Sequence, residues 1–181
     1  AIPAGKLSVL QVNFFLALSL GLFVWAAASL GELPLKLSPI ALLLTLGYSR
    51  TKRFTPLCHL VLGLSLGVAP GAAYLATTGV ISPSVVALLV AVTGWTAGFD
   101  IIYSLQDEEF DRSEGLRSLP ETLGKAKALG ISRALHGVSI AALLAACWMH
   151  KAGPWAFGGV GAAALLLAYE QSLVHPNDLS K

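Results

Sequence analysis

The chain has 181 residues, 55% hydrophobic and 12% charged, with a formal net charge of +2 and a mean hydropathy of +0.72. Soluble domains carry roughly 25% charged residues, and so small a net charge draws no nucleic acid. The composition excludes a nucleic-acid partner and an ordinary water-soluble globule. It predicts an all-α integral membrane protein whose solvent is the lipid bilayer.

Six apolar runs follow one another, at 7–30, 33–48, 56–81, 83–105, 128–149 and 154–173. A membrane span needs about 20 such residues. Five runs meet that length, and the second is short and contains Lys36. Pro34, Pro39, Pro56, Pro83 and Pro154 fall at or near predicted helix starts, where a missing N–H costs least. Pro70 lies inside the third run, in "GVAPGAA", and predicts a kink or local unwinding. Cys58 and Cys147 sit far apart in apolar runs with no CxxC pair, so they read as small buried hydrophobes. No repeat or linker divides the chain, and residues 1–181 read as one transmembrane domain. The opening "AIPAGKLS", without Met, and the ending "SLVHPNDLSK" predict a piece of a longer protein, incomplete at both ends.

With six spans, alternate connections share a side. One side holds Lys6, Arg50, Lys52, Arg53, Arg112, Arg117, Lys125, Lys127 and Lys181; the other holds Lys36 and Lys151. That bias makes the first side cytoplasmic. Arg133 is left over, inside the fifth run.

On the same side lies "GFDIIYSLQDEEFDRSEGLRS", residues 98–118. Read as one helix at about 100° per residue, it puts Asp100, Tyr103, Asp107 and Asp111 on a single face. Stacked carboxylates repel unless a cation neutralises them. One or two carboxylates, completed by water and phosphate, suit magnesium, Mg2+. The bland alternative is a solvated acidic helix end, which fits Glu108, Glu109 and Glu114 better than Asp100, a carboxylate in or just below the membrane surface.

The loop "GYSRTKRFT", 47–55, places Tyr48 and Lys52 at i and i+4 and adds Arg53. Such a cluster can bind and stabilise a departing diphosphate; alone, it equally fits a positive-inside anchor. In "GLRSLPETLG", 115–124, Gly115 stops the helix, Pro120 turns the chain, and Arg117 and Ser118 can reach phosphate. His59 and His136 are lone histidines in apolar runs and read as hydrogen-bonded packing residues.

Together these segments resemble a known family. "DIIYSLQDEEFD" with "GLRSLPETLG" is similar to the second aspartate-rich motif of the UbiA superfamily of intramembrane aromatic prenyltransferases. "YSRTKRFT" is similar to its YxxxK motif. "AIPAGKLS" resembles the segment following its first aspartate motif, and "YEQSLVHPNDLS" the link before its last helix. Within the superfamily the likeness is greatest to the 4-hydroxybenzoate polyprenyltransferase branch.

The resemblance implies a nine-helix bundle around a central cavity, of which this chain would supply helices three to eight. It implies Asp107 and Asp111 as metal ligands with Asp100 in support, Tyr48 and Lys52 facing the diphosphate, and Arg53, Arg117 and Tyr103 nearby. The implied partners are a polyprenyl diphosphate, an aromatic acid acceptor and the bilayer, the implied location a bacterial inner membrane. The first aspartate motif, of the type N-D-x-x-D-x-x-x-D, is absent from these residues, so the 181-residue chain is expected to be inactive alone. Two other readings stand beside 4-hydroxybenzoate prenylation: the same chemistry on a menaquinone-pathway aromatic, and a small membrane channel or transporter.

Overall fold

The computed structural model describes residues 5–176, all of whose long elements are helices. In chain order they are α1 (Val9–Leu30), α2 (Glu32–Thr51), α3 (Cys58–Thr78), α4 (Pro83–Ser104), α5 (Glu108–Ser113), α6 (Leu119–Leu123), α7 (Lys125–Met149) and α8 (Pro154–Leu173). The six long ones match the six apolar runs. Four of them, α1, α3, α4 and α7, are long and apolar enough to cross a membrane.

Local chemistry sets the starts. Ser8 and Gln11 form a reciprocal capping box at α1. Ser82 caps α4, and Pro83 occupies its first turn, where no N–H is needed. Gly79, at φ 70°, supplies the left-handed residue that closes α3.

Two expectations are corrected here. Pro39 lies inside α2 rather than at its start, because that helix runs from Glu32 and includes Lys36, which pairs with Glu32 one turn back at 2.7 Å. Of the kink or unwinding expected at Pro70, the unwinding does not occur: the helix is continuous from Cys58 to Thr78. The structure absorbs one missing N–H without breaking the element.

α4 packs most extensively against α7 and α3. Small residues bring these backbones together. A methyl at Gly94 would lie 2.8 Å from the Leu135 carbonyl oxygen, and one at Gly98 would collide with the His136 ring. Close approach of this kind is how helices associate where lipid removes the hydrophobic drive. Ser139 and Ser132 then donate 2.7 Å hydrogen bonds to the carbonyls of Ala91 and Gly98. α1 is the opposite case: along its whole length only Ala27 is buried, as suits a lipid-facing helix.

A compact cluster of Ile101, Leu105, Leu119, Ala128 and Leu129 fixes the short α5–α6 connection against α4 and α7. This cluster positions the polar end of the molecule.

Candidate functional site

The acidic segment is not one helix. α4 ends at Ser104 and α5 begins at Glu108. Between them the ladder tightens to i→i−3: Leu105 N–H bonds to Ile102 O, Gln106 N–H to Tyr103 O and Asp107 N–H to Ser104 O, at 3.2, 3.4 and 3.1 Å. Burial of Leu105 in the connector core holds that turn in place. The expected single-face alignment therefore holds only in part: Asp100, Tyr103 and Asp107 still line one cavity, while Asp111 lies beyond the break in the 3.6-residue period.

The break sorts the carboxylates. Asp100 and Asp107 line a cavity of about 240 Å³ together with Tyr48, Ser49, Lys52, Cys58, His59, Leu62, Tyr103 and Ser104. Asp111 turns inward and is fully buried. Lys52 Nζ lies 2.7 Å from Asp111 Oδ1, with the Lys52 side chain 29% exposed. That contact is an ion pair, and among the described residues neither Asp111 oxygen has a directed hydrogen bond. Among the described residues no three His, Cys, Asp or Glu side chains converge to hold a metal.

The basic wall follows from helix geometry. α2 persists to Thr51, and Lys52 keeps a right-handed helical backbone, so Tyr48 and Lys52 stay one turn apart and both reach the cavity. Arg53 and Arg117 are exposed and are not among its lining residues. Arg117 braces the loop instead. Its N–H donates to Lys52 O at 2.6 Å, and its Nη1 donates to Phe54 O at 3.3 Å.

Glu108 is tied to the scaffold by Arg112 Nη2 at 2.7 Å and Lys125 Nζ at 3.6 Å. Glu109 and Glu114 are exposed, in keeping with a solvated helix end. Lys181 lies outside the described residues.

His59, expected to be a hydrogen-bonded packing residue, is buried and hydrogen-bonded, and one of its partners is a cavity carboxylate. Its Nδ1 lies 2.6 Å from Asp100 Oδ2, and its Nε2 accepts the Leu119 N–H at 3.3 Å. The partners lie 41 and 60 positions away, so no local pattern announces them. His136 is the packing histidine that its apolar run implied: Gln171 Nε2 lies 3.1 Å from its Nδ1 and 2.8 Å from Ser132 Oγ.

A larger cavity of about 460 Å³ lies between α4, α7 and α8, lined mainly by apolar side chains with Trp95 and Glu170. It gathers no opposite charges. In the smaller cavity two carboxylates, an ammonium and two phenols meet.

The profile of the UbiA prenyltransferase family matches residues 1–181. The chain belongs to this family. Its sequence is 32% identical over 145 residues to a 4-hydroxybenzoate octaprenyltransferase of Alkalilimnicola ehrlichii, covering 80% of this chain and 49% of that protein. It is 31% identical over 160 residues to the enzyme of the same name from Neisseria meningitidis, covering 86% and 53%. The chain thus spans about half the length of these curated relatives. Among solved structures, the apo structure of a UbiA homolog from Aeropyrum pernix superposes with a TM-score of 0.87 at 34% identity, over 96% of this chain and 66% of that one. Apolar helices able to span a bilayer and membership of this family make the chain an integral membrane protein.

Proposed function

We propose that this chain forms part of an intramembrane enzyme that transfers a polyprenyl group from its diphosphate to an aromatic acid, with 4-hydroxybenzoate as acceptor and ubiquinone synthesis as the pathway. The observation that carries the reading is the cavity in which Tyr48 and Lys52 face Asp100, Asp107 and Tyr103. Names of the relatives support the acceptor.

The donor set suits magnesium. Asp100 and Asp107 offer hard oxygens to one cavity, and Mg2+ takes one or two carboxylates with water and phosphate completing its shell. Asp107 would hold the ion with Asp100 in support. Asp111 would join only by leaving Lys52, its present partner. A bound ion supplies charge neutralisation for the diphosphate.

The chain's own residues do the rest. Lys52 and Tyr48 bind diphosphate oxygens, and Lys52 offsets negative charge as the allylic C–O bond breaks. Arg53 and Arg117, exposed beside the loop, draw the anion toward it. The released electron pair leaves with the diphosphate, and the allylic carbon is attacked by the ring carbon beside the acceptor hydroxyl. Loss of that carbon's proton restores aromaticity. Apolar helices keep water from the cation until the C–C bond forms. The polyprenyl tail stays in lipid or between helices.

The proposed setting is a nine-helix bundle in a bacterial inner membrane, to which this chain contributes six spans, with the cavity on the cytoplasmic face. A channel fits less well. Its path would need polar groups along both leaflets, whereas the cavity's charged groups come from the end of α2, the end of α4 and the segment after it.

Full-length protein in membranes, given polyprenyl diphosphate, Mg2+ and several aromatic acids, tests the reading. Alkylated 4-hydroxybenzoate, lost on chelation, is the expected product. Alkylation of a menaquinone-pathway aromatic instead would reassign the acceptor, and cation flux without product would favour a channel. The 181-residue chain alone is expected to be inactive; turnover by it would contradict that expectation.

A further inference from the structure

We propose that His59 is a positioning residue for the cavity carboxylate Asp100, holding it from one ring nitrogen while the backbone of the 115–119 turn holds the other. The proposal rests on the prenyl-transfer reading for the use of Asp100, but not for the geometry.

The turn and the basic loop are stitched together in sequence. Arg117 N–H donates to Lys52 O at 2.6 Å, Cys58 Sγ contacts Arg117 O at 3.6 Å, and Leu119 N–H donates to His59 Nε2 at 3.3 Å. Leu119 opens α6, and its N–H is among the donors that a helix start leaves without an internal partner. The imidazole satisfies it. A nitrogen that accepts an N–H carries no proton of its own in the neutral ring, so Nδ1 carries it and donates to Asp100 Oδ2 at 2.6 Å.

The imidazole is 2% exposed and Asp100 31% exposed. The bond is therefore anchored on its protein side and open on its cavity side. It leaves Asp100 one carboxylate oxygen free of His59 while limiting rotation of the group. A packing histidine needs no carboxylate partner and no contact with the cavity; His59 has both. The ring also joins Asp100 to the segment that carries Arg117, so the acidic and basic walls are held as one unit. Groups that orient a ligating side chain typically change affinity or activity by roughly ten- to a hundredfold when removed.

The test uses full-length protein in membranes. Solid-state NMR of protein with 15N-labelled histidine should find His59 protonated on Nδ1 and bare on Nε2. Asp100→Leu should leave that tautomer, which the Leu119 N–H sets, but shift the Nδ1 signal as its acceptor is lost. His59→Leu should lower kcat roughly ten- to a hundredfold with a smaller change in KM for the polyprenyl diphosphate. His59→Gln keeps one donor and one acceptor, and should restore most of the rate. A proton on Nε2 in the wild type would overturn the proposal, as would a wild-type rate in His59→Leu. A folded His59→Gln no better than His59→Leu would overturn it too. Should His59→Leu fail to fold, the tautomer and the Gln rescue still decide. Wild-type protein with the expected tautomer but no prenyl transfer would sink the functional reading and leave the positioning pair standing.

Discussion

The cavity end and the α7–α8 seam each contain a buried histidine in an apolar helix, and they use it differently. At the cavity, His59 meets a carboxylate, and a few residues away Lys52 meets another. In the seam, His136 meets the amide of Gln171, which also bonds Ser132, and Ser132 in turn donates to the Gly98 carbonyl. Neutral partners stitch helices at little electrostatic cost. Buried charge is expensive and persists where it is paired. What separates a site from a seam is the partner, and the partner is set by the fold.

Substitutions test this contrast. The largest effect is expected at Lys52. Lys52→Ala leaves the fully buried Asp111 without its cation, which costs about 3–5 kcal/mol, and it should also end turnover. Thermal melts in detergent measure the first loss. A Lys52→Met, Asp111→Leu double variant should regain the fold but not the rate. Recovery of both would make the pair purely structural and bring the cavity closer to the seam.

Asp107→Ala comes next. The side chain is exposed and packs little, so folded protein should be unchanged. Prenyl transfer should fall at least about a hundredfold, because charge neutralisation of this kind is worth several kcal/mol. A near wild-type rate would remove Asp107 from the site.

Gly98→Ala tests the boundary between the regions, since its methyl would collide with the His136 ring. Overpacking should cost about 1–3 kcal/mol, read as a lower melting temperature. Gln171→Leu should be mildest. Interhelical hydrogen bonds in membranes average about 0.6 kcal/mol, and the rate should not change. A tenfold slower enzyme would move the seam into the site.

The sequence carried the helices because a bilayer demands long apolar runs, and those are visible without partners. It also carried the Tyr48–Lys52 pairing, since α2 is regular through Thr51. The break between Ser104 and Glu108 was hidden: nothing in "SLQDE" forbids a helix, and the turn depends on Leu105 packing against Leu119, Ala128 and Leu129. That break takes Asp111 off the cavity wall and leaves Asp100, Tyr103 and Asp107 on it. The carboxylate partner of His59 was hidden for a related reason. The histidine's sequence neighbours are apolar, and both its partners arrive from distant segments.

Prenyl transfer from a diphosphate is the role proposed for the Lys52–Asp107 cavity. Its most direct test is mass spectrometry of aromatic acids incubated with full-length protein in membranes, polyprenyl diphosphate and Mg2+, for the wild type beside Asp107→Ala. Alkylated 4-hydroxybenzoate is expected from the wild type and at least about a hundredfold less from folded Asp107→Ala. Equal product from both would contradict that role.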